Sequence, residues 1–178
     1  MREEIICAGF GGQGIMLLGR VIAQTALKEG RQVTLIPSYG AAMRGGCAFC
    51  MVVIADREIA SPYVDKCDSL FVFNQPSWDS FKGRIKKGGL ILFNSTLIED
   101  RQPSGGSLKI RKLPFTTIAS SLGDVRVANM VALGVYLKEK DILRRKTVSD
   151  VLAELTSKDK LHMLEINRRA LEKGYEAV

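Results

Sequence analysis

Histidine is almost missing from this chain. One occurs among 178 residues, His162, together with one tryptophan, Trp78, and four cysteines at positions 7, 47, 50 and 67. With a single histidine, far in sequence from every glycine-rich segment, neither a Ser/His/Asp nor a Cys/His nucleophilic arrangement can be assembled around those segments. Paired carboxylates near them are absent as well, so general acid–base chemistry has no evident seat. Only Cys47 and Cys50 show C-x-x-C spacing. They fall in an apolar run that reads as a strand, where positions three apart face opposite sides, and no second pair completes a ligand set. Buried, reduced thiols and no bound metal are expected. No apolar run reaches the roughly 20 residues of a membrane span. The first residues lack the charged, apolar and small-residue zones of a secretory signal, so a cytoplasmic location without membrane attachment is expected. Internal repeats and low-complexity tracts are lacking too.

What remains is ordinary in bulk and uneven in detail. Hydrophobic residues make up 46% and charged residues 25% of the chain, values that suit one soluble domain over residues 1–178. The net charge of +7 is concentrated in Lys82, Arg84, Lys86 and Lys87 and in Arg144, Arg145 and Lys146, which favours anionic partners. Nucleic acid is not expected, because the clusters are short and no aromatic residues interleave with them.

The strongest local signal is Gly9-Phe10-Gly11-Gly12-Gln13-Gly14. It follows the apolar run 5–8 and precedes Ile15, Leu18, Ile22 and Ala26 at helical spacing, so it reads as strand, turn and helix. Glycines 9, 11 and 14 fit G-x-G-x-x-G, a pattern that permits positive backbone angles and lets a phosphate reach a helix N-terminus. Gly12 adds a fourth glycine, and Gln13 offers a donor and an acceptor at the mouth of the turn. Ordinary dinucleotide binding is disfavoured. The second strand, at 33–36, ends in Pro37, Ser38, Tyr39 and Gly40 with no carboxylate for ribose hydroxyls, and Glu29 belongs to the preceding helix. The segment Ser38, Tyr39, Gly40, Arg44, Gly45 and Gly46 follows at the carboxyl end of that strand. Both glycine loops should therefore share one crevice, with Arg44 as a fork for an anion.

Further along, 47–55 with 58–60 reads as a hairpin, 70–74 as a strand, and Trp78, Phe81 and Ile85 as one helix face. A strand at 90–93, an exposed loop at 99–107, a strand at 108–113 and a Ser/Thr-rich turn after Pro114 come next. Val127, Met130, Val131, Gly134 and Leu137 mark an apolar helix with Asn129 as a satisfied buried polar group. Thr147 and Asp150 suggest a capping box for a helix through Leu155, and 160–175 forms the last helix. The expected architecture is α/β: an open three-layer, Rossmann-like domain with a mostly parallel sheet and an appended hairpin.

Taken in order, the two glycine segments, Ser61-Pro62, Asn74-Gln75, the run Asn129-Met130-Val131-Ala132-Leu133-Gly134 and the terminal Asn167, Ala170 and Gly174 resemble the gamma subunit of 2-oxoacid:ferredoxin oxidoreductases, nearly end to end. The resemblance implies a subunit of a complex that oxidatively decarboxylates a 2-oxoacid, passes the acyl group to coenzyme A and sends electrons to ferredoxin. It implies alpha, beta and delta subunits as partners, thiamine diphosphate and iron-sulfur clusters held by those partners, and nothing covalently bound here. Gly123-Asp124-Val125 departs from the Gly-Asp-Gly that opens a thiamine diphosphate site. Carried over, Gly9, Gly11, Gly12, Gln13 and Gly14 form the cofactor-facing loop, while Ser38, Tyr39, Gly40, Arg44, Gly45 and Gly46 line the neighbouring wall, with coenzyme A the implied ligand. The loop forms look more like the 2-oxoglutarate branch than the pyruvate branch, although Ala41-Ala42-Met43 departs from it. The isolated chain is expected to be inactive and to self-associate. The competing reading is a free-standing nucleotide- or flavin-binding protein.

Overall fold

A computed structural model of the chain describes residues 1–38, 47–99 and 107–178, apart from the side chains of Cys47 and Lys158. Strand β1 (Arg2–Phe10) shows how the layers arise. Successive side chains of a strand point to opposite faces. Ile5 and Cys7 accordingly enter one core and Ile6 and Ala8 another, all four fully buried. A strand with no polar face must be covered on both sides. The first core is roofed by α1 (Ile15–Lys28), α3 (Phe115–Ser121), α4 (Ala128–Lys140), α5 (Arg145–Leu155) and α6 (Leu161–Glu176). The second is covered by α2 (Gln75–Phe81), which buries Trp78 and Phe81 against Ile91 and Phe93.

The sheet contains β2 (Gln32–Ser38), β3 (Cys47–Ala55), β4 (Cys67–Val72), β5 (Ile85–Asn94) and β6 (Lys109–Leu113), in the order β2-β3-β1-β4-β5-β6. Five strands run one way, and β3 is antiparallel to both neighbours. This corrects two expectations. The hairpin is not appended: β3 lies inside the sheet, pairing with β2 on one side and β1 on the other, and residues 58–60 form no strand. Its apolar, two-sided character, with residues 50–55 all buried, needs an interior position. Consequently β1 and β2 are parallel but not adjacent. The edge place left to β2 suits Pro37, which lacks a ladder N–H.

Four local expectations also change. Residue Ile85 starts β5 rather than extending α2, and the Ser/Thr-rich turn after Pro114 is the helix α3, because Phe115 and Ala119 stand four apart and both are buried. Thr147 and Asp150 make no capping box. The cap position of α5 is Arg144, and Thr147 sits inside the helix with its side chain packed away from solvent. The strand read at 90–93 spans Ile85–Asn94, with Gly88 at φ +78° where the pairing with β4 slips. The loop expected at 99–107 falls largely outside the described residues.

Helix α4 is buried from Ala128 through Leu137, as a helix surrounded on all sides must be. Its outer end holds edge strand β6. Glu139, whose side chain is 6% exposed, accepts from Arg111 Nε at 2.7 Å and pairs with Lys109. Burial alone would push the Glu139 carboxyl up, but these two cations hold it below its ordinary value. A lowered carboxyl pKa gives stability that is present above the unfolded-state value and is lost as pH falls through the folded one. Glu139→Gln should therefore cost about 1–2 kcal/mol near neutral pH. The difference from the parent should shrink in urea titrations as pH falls below the range in which the unfolded carboxyl titrates, and vanish only where the folded carboxyl is protonated as well.

Candidate ligand-binding site

Three side-chain amides tie together the carboxyl ends of the central strands. Asn74, the cap residue of α2, accepts from Ser77 N–H at 2.9 Å and donates from Nδ2 to Gln13 Oε1 at 3.1 Å. Asn94 donates to Phe73 O at 3.1 Å and to Thr116 Oγ1 at 2.9 Å. Gln13 Oε1 also accepts from Phe10 N–H at 2.6 Å. The expected role of Gln13 is thus half corrected: its acceptor closes the turn internally, and only the Nε2 amino group is left for a ligand.

Within the turn the glycines divide by function. Gly12 and Gly14 have φ of +91° and +71°, which L side chains adopt only with strain. Gly9 is the penultimate residue of β1, where a Cβ would lie 2.7 Å from Gln13 Oε1 and Ile15 Cδ1; a Cβ on Gly11 would meet nothing within 4 Å. The requirement for left-handed backbone therefore falls on Gly12, the extra glycine, and on Gly14, rather than on Gly9 and Gly11. Gly14 is also pinned from above. Asn129, 1% exposed, donates from Nδ2 to Gly14 O at 3.0 Å and accepts from Met130 N–H at 2.8 Å, so it is the satisfied buried amide its sequence context suggested.

The first turn of α1 has no side-chain cap and no acidic residue. Its N–H groups are unsatisfied within the helix and carry the positive end of the dipole. They face a cavity of about 490 Å³ bounded by Gly12, Gly14 and Leu17, by Arg126 and Asn129, and by the α5–α6 junction and the start of α6. The described lining residues include three nitrogen bases, Arg126, Lys160 and His162, and among them there is no carboxylate. Arg126 is held in place by Asp124, with Nε at 3.0 Å and Nη2 at 2.6 Å from its oxygens, and this guanidinium keeps the Asp124 carboxyl below its ordinary value.

Sequence distance misled on His162. It lies 148 positions from Gly14 in the chain, yet it lines the same cavity, because α6 packs back along α4 and brings its N-terminal turn over the glycine turn. Arg126, Lys160 and Asn167 are likewise cavity residues that the sequence reading did not assign to the site. Ser38 ends β2 on the same sheet edge as Phe10, paired with Phe49 of β3 where Phe10 pairs with Cys47, but it does not line this cavity. Tyr39, Gly40, Arg44, Gly45 and Gly46 lie outside the described residues.

The family model for pyruvate ferredoxin/flavodoxin oxidoreductase matches residues 4–177. The chain belongs to that family. Among relatives, it is 38% identical over 170 residues to the ketoisovalerate oxidoreductase subunit VorA of Methanothermobacter thermautotrophicus, covering 95% of this chain and 35% of that one. It is 34% identical over 180 residues to the 2-oxoglutarate synthase subunit KorC of Methanocaldococcus jannaschii, covering 99% and 94% respectively. The chain thus spans about a third of the first relative and nearly all of the second. Among solved structures it resembles the gamma subunit of a keto/oxoacid ferredoxin oxidoreductase from Geobacter sulfurreducens, with a TM-score of 0.83, 28% identity and coverage of 98% and 96%.

For this family member, the described thiols do not suit an iron-sulfur cluster. Cys7, Cys50 and Cys67 are free and fully buried. Cys7 and Cys50 lie on one side of the sheet and Cys67 on the other. Burial pushes the Cys67 thiol up to about 12, so it is an inert packing group. No helix among the described residues is long and apolar enough to cross a membrane.

Proposed function

We propose that this chain is the gamma subunit of a 2-oxoacid:ferredoxin oxidoreductase and that it contributes the binding of coenzyme A. The observation that carries this reading is the cavity in which an uncapped helix N-terminus, with left-handed Gly12 and Gly14, faces Arg126 and Lys160, with no carboxylate among the described lining residues. Such a site is made for a polyphosphorylated ligand. Coenzyme A, with a diphosphate and a 3′-phosphate, has that chemistry. Ser38, Tyr39, Gly40, Arg44, Gly45 and Gly46 are assigned to a further wall of the binding region.

The described chain offers no nucleophile–base pair, and its described cysteines are buried. In keeping with the family resemblance, decarboxylation and electron transfer are assigned to thiamine diphosphate and iron-sulfur clusters on alpha-, beta- and delta-type partners, with ferredoxin as acceptor. Val125 and Leu161 are more than half exposed beside Arg126 and His162, which suits a partner surface closing over the cavity mouth. The near-complete match in length with the 2-oxoglutarate synthase subunit supports 2-oxoglutarate as the substrate of the complex. The higher identity to the ketoisovalerate relative supports a second reading, a branched 2-oxoacid.

Affinity purification from the native host tests this directly. Alpha- and beta-type subunits should co-purify as a brown complex that reduces a dye only when a 2-oxoacid and coenzyme A are both present, and the chain alone should give no turnover. Comparison of 2-oxoglutarate with 3-methyl-2-oxobutanoate then decides the substrate. A yellow monomer with stoichiometric flavin and no partners would overturn the assignment in favour of a free-standing binding protein.

A further inference from the structure

Strand β2 has the character of an interior strand and stands at an edge of the sheet. It carries no charge, and its apolar residues point both ways: Val33 and Leu35 pack on the first core and Ile36 on the second, yet no residue of the strand is buried. Strands with two apolar faces belong inside a sheet. The opposite edge is guarded, since β6 has three cations, Lys109, Arg111 and Lys112, in five residues, and such charges discourage a further strand. On β2 only Pro37 does so. It blocks pairing at the carboxyl end and leaves 32–36 with outward N–H and C=O groups that no strand takes up.

Beside that edge lies a groove of about 390 Å³, formed by Met16, Leu17 and Arg20 of α1 with Leu35 and Pro37 of β2. Arg20 is the one charge among these residues. It is exposed and forms no hydrogen bond or ion pair among the described residues, and residues 39–46, which follow β2, contain no Asp or Glu. A guanidinium in an otherwise apolar groove is matched by a carboxylate brought with the occupant.

A second copy of the chain does not bring one. Antiparallel pairing of two β2 edges about a two-fold axis at Leu35 would keep both α1 helices on one face and set Arg20 against Arg20, like charges with no carboxylate among the described lining residues. In the ketoisovalerate relative the matched region is 35% of the chain, so there the same fold has other parts of its polypeptide to lie against.

From this we infer that β2 and the α1 groove dock an extended segment of a partner subunit. The segment adds to the sheet as a further strand, lays apolar side chains in the groove and places one carboxylate on Arg20. The inference rests on the subunit reading above and adds the surface by which the chain is held.

Hydrogen exchange on the assembled complex and on the purified chain provides the test, together with two variants at Arg20. The amides of 33–36 should exchange at least about tenfold more slowly after assembly. Arg20→Gln should weaken assembly about tenfold and Arg20→Glu at least about thirtyfold, without moving the urea midpoint of the isolated chain. Turnover per assembled complex should stay at the parent value. Both effects are required: if alpha- and beta-type subunits co-purify and either effect is absent, the inference is overturned while the subunit reading stands. Protection of 33–36 in the isolated chain that grows with its concentration and ignores Arg20→Glu would give the edge to a second copy and overturn it equally. If no partner co-purifies, the subunit reading itself fails, and the docking inference fails with it.

Discussion

Replacing Gly174 with alanine should destabilise the chain by at least about 3 kcal/mol, the upper end for forcing extra volume into a packed interior. A Cβ built there would stand 1.9 Å from Val131 O and 2.8 Å from Val131 C. The reciprocal position is equally tight: a Cβ on Gly134 would lie 2.0 Å from Leu171 O and 2.7 Å from Tyr175 N. In both cases the obstacle is backbone of the opposite helix, which has no rotamer to yield. Two facing glycines let α4 and α6 approach with main chains in contact, and a single methyl group must push the axes apart. That movement would loosen Leu171 and Ala170, both buried against the core, and shift the first two turns of α6, which carry His162 and Asn167. Urea unfolding should show the loss, and thermal unfolding should show a fall in Tm of about 6–12 °C for a chain of this size. Gly11→Ala is the matched control, since nothing stands within 4 Å of its Cβ, and it should shift stability by less than about 0.5 kcal/mol. A change below that level at Gly174 would show that α6 separates from α4 without cost.

Gly14→Ala should combine a stability loss with a binding loss. The αL conformation at φ +71° costs an L residue about 1–2 kcal/mol. The new Cβ would also lie 2.2 Å from Asn129 Nδ2, so the amide must leave Gly14 O and be stranded in a core where it is 1% exposed, a further penalty of about 1–3 kcal/mol. Because the same turn sets the direction of the α1 N-terminus, the KM of the complex for coenzyme A should rise at least about tenfold, the equivalent of one charged contact. Gly14→Ala with Asn129→Ala should recover part of the stability, since the clash disappears with the amide, while the strained φ and the binding defect remain. Equal losses in the single and double variants would mean that the clash is not the cause.

The elements and their chemistry could be read from local pattern, because helix and strand periodicity are short-range properties. The apolar runs of β1 and β5, the glycine turn into α1, the fully apolar face of α4 and the buried state of Asn129 all followed from residues within one or two turns of each other. Errors arose where a partner far along the chain decides. Nothing local distinguishes a strand added at the edge by a hairpin from β3, which is drawn between β1 and β2 by having two apolar faces to bury. Nothing local tells that Phe115 and Ala119 will find a core to make a helix of a Ser/Thr-rich stretch.

The binding site divides in the same way. From its sequence alone the chain has a phosphate-type glycine turn, no catalytic histidine pair, no acidic ribose ligand, and the ordered motifs of its family. Tertiary structure alone decides that Gly12 and Gly14, rather than Gly9 and Gly11, need left-handed backbone, and that Arg126, Lys160, His162 and Asn167 complete the cavity. The physical reason is the α4–α6 contact through Gly134 and Gly174. Close packing of two main chains carries the C-terminal helix back over the first turn of the fold, and residues from both ends of the chain line one cavity.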